Sequence, residues 1–299
     1  MSSTAFDAML ALARIVVPTT EGTATSGSAT TILDTDILGV HEWLADDGLN
    51  GGTAFITYDA GGAGAAPQNE TARITDYAES ISTVTLMSGD LSAAAAAGDG
   101  YAVTSIPRYQ LYAALNAALR DLGDVPYEND TSLDTVADTR EYTLPAAAKR
   151  DLRQVWIAQH TAAPWDYAEQ NNWRVIKNRA TLDLVFSNQP TASRNIRLVY
   201  VGPHATLDDD ADTVNDAVPF DYLVWRGAFH VYLRRLQQEG RNAEQWTGLM
   251  NMAAEYASQA LQRHPIQLPR YGVRFFQYDE PSAETPGAAH IQTADVPTS

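Results

Sequence analysis

Apolar residues recur along this chain with two different periods, and the places where the period changes mark out its expected elements. Between residues 4 and 17, Phe6, Met9, Leu10, Ala13 and Val16 fall on one helical face, with Ser3 or Thr4 as the cap and Pro18 as the stop. After Ile106-Pro107 the helical period returns in Leu111, Leu115, Ala118, Leu119 and Leu122, closed by Gly123. The most regular stretch follows Pro219. There Tyr222, Trp225, Phe229, Tyr232 or Leu233, and Leu236 form one broad apolar face, the predicted helical core together with Trp246. A turn at Gly240 leads into a second stripe of Trp246, Leu249, Ala253, Tyr256 or Ala257, and Ala260, and so short a connection predicts an antiparallel hairpin.

Elsewhere the period is two. Pieces such as Ala29 to Leu33, Thr53 to Tyr58, Thr71 to Ile74 and Ser82 to Met87, separated by Gly-rich turns, predict a small all-β barrel or sandwich over residues 19–105. A second small sheet is expected within about residues 139–203, from Glu141 to Leu144, Leu152 to Ala158, Trp173 to Ile176, Thr181 to Phe186 and Arg194 to Val201. The expected fold class is therefore α+β: a helical bundle from residues 1–18 and 106–263, a β domain inserted at 19–105, and a C-terminal arm and tail at 264–299. Since neither of the two flanking helices can bury its stripe alone, they are expected to pair, with the insertion peripheral to them. The arm carries Ile266, Leu268, Tyr271, Phe275, Phe276 and Tyr278, too apolar a set for a solvated tail, which makes it a docking element.

Charge narrows the function. The net charge is -17 over 299 residues, and between Pro18 and Ile106 the only basic residue is Arg73. Tight binding to nucleic acid needs clustered Lys and Arg to displace counterions, so such binding is not expected. There is no cysteine, which removes disulfides, thiolate metal sites and cysteine nucleophiles. The amino terminus lacks the basic start of a secretion signal, and no membrane span is expected.

The densest chemistry is the acidic loop Asp208, Asp209, Asp210 and Asp212, with Asp216 close behind, just before the Pro219 helix. A helix N-terminus favours negative charge, so these residues are expected beside it as a solvated, capping loop. A calcium loop is a poorer fit, because the Gly and bidentate Glu of an EF-hand are missing. No histidine pair has metal spacing on one helix, and no nucleophile elbow, phosphate loop or dinucleotide fingerprint occurs. Neither a cofactor nor a metal is expected, and no catalytic residue is named.

The order of elements resembles that of the tailed-phage head-to-tail adaptors: two helices split by an insertion, a sheet around Tyr142-Thr-Leu-Pro145, the strand Ile196-Arg-Leu-Val-Tyr200, an Asp-rich loop and a helical hairpin. The resemblance covers roughly residues 107–263 and the first helix. It implies a non-enzymatic structural protein of the virion neck, assembled in the host cytoplasm as a homo-oligomeric ring of twelve subunits. Its implied partners are the portal protein above and a tail or nozzle protein below, with DNA passing through unbound. Residues 265–278 become the arm that reaches a neighbour or the portal. The insertion at 19–105 departs from the smallest members of that family. Two other readings stay open: a tail accessory or receptor-binding protein whose β unit binds a surface glycan, and a carbohydrate-acting enzyme built on two carboxylates.

Overall fold

The computed structural model describes residues 3–36, 38, 45–62, 64–178, 181–238 and 242–272. They divide into two compact units, Met1–Tyr127 with Val201–Leu268, and Glu128–Tyr200 with Pro269–Ser299.

In the first unit four helices share a core. The first, α1 (Ala5–Val16), starts with a capping box in which Asp7 N–H donates to Thr4 Oγ1 and Thr4 N–H to the Asp7 carboxylate. α2 (Arg108–Leu122) ends at Gly123, whose φ of 84° suits glycine and whose N–H returns to Leu119 O. α3 (Phe220–Gln238) and α4 (Ala243–Arg263) are antiparallel, because Tyr222 packs with Ala260, Trp225 with Tyr256, and Tyr232 with Trp246. The Gly240 turn lies outside the described residues. A Cβ at Gly227 would stand 3.2 Å from a Leu12 methyl and 3.3 Å from one of Leu115, so the missing side chain is what lets α3 close on α1 and α2. That approach turns α3 so that Leu223, Gly227, Ala228 and Val231 are buried, along with Tyr222 and Tyr232, while Trp225, Phe229, Leu233 and Leu236 are half-buried.

The same unit holds a seven-stranded antiparallel sheet made of β1 (Thr19–Thr23), β2 (Ser26–Ser28), β3 (Thr31–Leu33), β4 (Thr53–Tyr58), β5 (Glu70–Ala78), β6 (Thr83–Leu86) and β7 (Gly100–Thr104). Its order is β1-β7-β4-β5-β6-β3-β2. The two edge strands, β1 and β2, are consecutive in sequence and joined only by Ala24 and Thr25, so the sheet must curl until its edges approach. Inside the curl Ile32, Ile56, Ile74, Tyr77, Val84 and Val103 form a separate core. Tyr101 O–H donates to Asp34 across it at 2.7 Å. Phe55 points the other way, into the helical core, edge-on to Phe6 at 5.6 Å.

The second unit is built on two further antiparallel sheets. One contains β8 (Asp124–Asp134), β10 (Leu152–Ala158), β11 (Tyr167–Gln170) and β14 (Asn195–Pro203), in the order β11-β10-β14-β8. The other has β12 (Trp173–Asn178), β13 (Thr181–Phe186) and β9 (Glu141–Thr143), in the order β12-β13-β9. Trp173, Phe186, Leu198 and Val155 are buried in it, and Tyr142 meets Phe186 edge-on.

The described residues thus hold fourteen strands in three sheets and four α-helices, which makes the chain mostly β. This corrects the expected α+β class, a helical bundle carrying one small inserted barrel or sandwich and one small sheet. The physical reason lies at the sheet edges. β1, β2, β8 and β11, which periodicity does not mark, are the outer strands of the two larger sheets. An edge strand is held by its backbone ladder on one side and faces water on the other, so it tolerates the polar sequences Thr-Thr-Glu-Gly-Thr and Tyr-Ala-Glu-Gln.

Candidate functional site

The acidic loop does not stand free beside α3. Its centre, Asp210, is half-buried and accepts from Thr71 N–H on β5 at 2.6 Å, from Thr71 Oγ1 at 2.8 Å, and from Tyr112 O–H on α2 at 2.7 Å. Arg108 lies alongside and donates to Thr71 O at 3.1 Å. Burial, then the hydrogen bond to Asp210, push the Tyr112 hydroxyl far above its usual range, so it stays a donor.

Asp212 works locally. The N–H groups of Asp208 and Asp209 both donate to its carboxylate, at 2.7 and 2.8 Å, and hold it below the usual carboxylate range. The backbone of the same loop closes the start of α1: Ala5 N–H donates to Asp212 O and Phe6 N–H to Asp210 O, while Thr4 bridges Thr213. These are orphan donors of a helix N-terminus, here satisfied by carbonyl groups. Asn116 on α2 fixes the loop's entry by a reciprocal pair with Leu207, 2.8 Å each way.

Asp208, Asp209 and Asp216 remain exposed. Asp208 and Asp209 line a cavity of about 580 Å³ with Glu70, Asp90, Ser92 and Arg108. Asp216 instead borders a groove at the start of α3, closed on the far side by residues 263–267. The sequence reading named the aspartates but missed Thr71, Tyr112 and Asn116, the groups that bind them. Sequence carries little signal for these three, since each stands more than 90 residues from its partner in the loop.

Among the helices, Asp121 on α2 receives Arg226 at 2.6 Å and His230 at 2.8 Å, both from α3. Burial raises its pKa, but the hydrogen bonds from Arg226 and His230 outweigh that and leave it lowered. α4 fully buries only Ala253, Ala257 and Ala260, while Trp246, Leu249 and Met250 pack half-buried against the helical core. Met252 is 37% exposed, and Tyr256, which packs on Trp225, is 42% exposed. Trp246 is half-buried and its indole N–H has no hydrogen-bond partner among the described residues.

The arm is partly placed. Ile266 packs half-buried against the helical core of the first unit, and Leu268 is exposed. In the second unit, residues 269–272 run along β10: Arg153 donates to Pro269 O, Gln154 to Arg270 O, and Gly272 N–H to Arg153 O, each at 3.1 Å. Tyr271 donates to Asp151 and lies under the Arg153 guanidinium at 4.2 Å, yet is 61% exposed. Phe275, Phe276 and Tyr278 lie outside the described residues.

No group of three or more His, Asp or Glu side chains is arranged to hold a metal ion among the described residues, and none of their helices is long and apolar enough to cross a membrane. No protein-family model matches the chain, and no curated protein matches it either.

Proposed function

We propose that this chain is a structural protein of the tailed-phage neck, a head-to-tail adaptor that assembles as a homo-oligomeric ring under the portal and continues the DNA channel towards the tail. The observation that carries this reading is the outer side of α4. A helix of 21 residues whose fully buried side chains are three alanines, and which leaves Met252 and part of Tyr256 in water, offers a face to another surface. Leu268, 46% exposed, supplies apolar surface at a second place on the same unit. A ring closed by head-to-tail contacts needs two different patches on each subunit.

The carboxylates are consistent with an assembly role. Asp121 and Asp212 are both held ionised by structural partners, which is the opposite of a general acid's requirement. Asp208, Asp209 and Asp216 are exposed, a placement in which carboxylates facing a channel would repel phosphate and let a duplex slide.

The reading is tested by putting charge on α4. The variant Met252→Glu alters only an exposed side chain, so it is expected to fold with unchanged circular dichroism and to lose assembly on portal rings. Assembly of the variant at the wild-type level would remove α4 from the interface and with it the main support for a ring.

A further inference from the structure

In the second unit a cavity of about 410 Å³, within the range of small-ligand sites, opens beside the ends of β10, β11 and β13. Its lining is unusual for so acidic a chain. Five carboxamides (Gln159, Gln170, Asn172, Asn188 and Gln189) and Arg194 are present, and no Asp or Glu is among the lining residues.

Hydrogen bonds within the unit engage few of these amide groups. Gln170 donates its amide to Ala168 O and Gln189 donates to Asp138, so the carbonyl oxygen of each is left over. Asn172 Oδ1 is buried with no hydrogen-bond partner among the described residues. The Arg194 side chain likewise makes no hydrogen bond or ion pair among the described residues.

The wall that carries Arg194 is nevertheless rigid. Thr135, 2% exposed, donates its hydroxyl to Thr191 O at 2.6 Å and receives Arg194 N–H at 2.7 Å, while its backbone pairs with Ser193 and Arg194. A loop pinned through its backbone therefore presents an uncommitted guanidinium in a cavity that also holds the uncommitted carbonyl groups of Gln170 and Gln189, a preorganised arrangement.

We infer that this cavity binds a carboxylate-bearing saccharide, with Arg194 taking the carboxylate and the carbonyls of Gln170 and Gln189 accepting from ring hydroxyls. Vicinal hydroxyls supply several donors in a small space, which a single peptide bond does not, and a planar guanidinium matches a carboxylate with two parallel hydrogen bonds. The inference is independent of the neck reading and of the curled sheet at residues 19–105.

The full chain is titrated with a trigalacturonate, with the neutral galactose trisaccharide, with acetate, and with a short peptide bearing a free C-terminal carboxylate. Binding is read by saturation-transfer NMR. The acidic trisaccharide is expected to bind at least about tenfold more tightly than the neutral one, the order of magnitude of one charge-assisted hydrogen bond. Arg194→Gln is expected to abolish that preference without changing thermal stability, because the loop is held through the backbone of residue 194. A separate Gln170→Leu variant should weaken both saccharides. Equal binding of the two sugars, no transfer to either, tighter binding of the peptide, or an unchanged preference in Arg194→Gln would each overturn the assignment.

Discussion

Asp210 is the residue on which most of the first unit converges. Its carboxylate receives a backbone N–H and a hydroxyl from β5 and a phenol from α2, and its carbonyl closes the start of α1. Asp210→Ala strands those donors in a partly buried place, so a loss on the order of 2–4 kcal/mol is expected in urea unfolding, from about 1–3 kcal/mol for each unsatisfied group. A loss under about 0.5 kcal/mol, the usual size for an exposed side chain, would mean that the loop is as solvated as its composition suggests. Asp121 makes a prediction about pH. Its folded-state pKa is depressed, so its contribution is complete above the unfolded value near about 3.9 and disappears as pH falls through the lower folded value. The stability difference between the wild type and Asp121→Asn should therefore be present at neutral pH and vanish in strong acid. A difference that persists there would assign it to packing instead.

At the scale of elements, the curled sheet and the helices share side chains. Phe55 on β4 is fully buried in the helical core against Phe6. Phe55→Ala is expected to cost about 3–5 kcal/mol and to lower the melting temperature of the helical signal, although the residue belongs to a sheet. A variant in which only the sheet signal shifts would separate the two. The helices were legible in the sequence because each carries its apolar residues at spacings of three and four, and the caps Thr4 and Gly123 stand where the chain needs them. The orientation of α3 was not legible. Its closest contact is made by Gly227, which adds nothing to a count of apolar residues, and the aromatics Trp225 and Phe229 that dominate such a count end half-buried. Edge strands were hidden for a different reason, since β8 reads Asp-Val-Pro-Tyr-Glu-Asn-Asp-Thr-Ser-Leu-Asp and draws its strand character from its neighbour. The acidic loop was visible as a cluster, but its partners on β5 and α2 can be named only once the chain has folded.

At the scale of the whole molecule, the proposed assembly turns on the arm and α4. Ile266 belongs to the helical core and Pro269 to Gly272 to the start of β10, so a truncation meant to remove the docking segment should begin after Gly272. That truncation is expected to leave stability within about 0.5 kcal/mol of the full chain, whereas ending the chain at Arg263 should cost more by uncovering the Ile266 site. The central claim, that this protein is a ring-forming neck adaptor, is tested most directly by its mass in native mass spectrometry at near-physiological salt, with and without purified portal rings. The account predicts that portal rings gain a complete, fixed number of copies. A compact oligomer, or a monomer, that is indifferent to portals would contradict it.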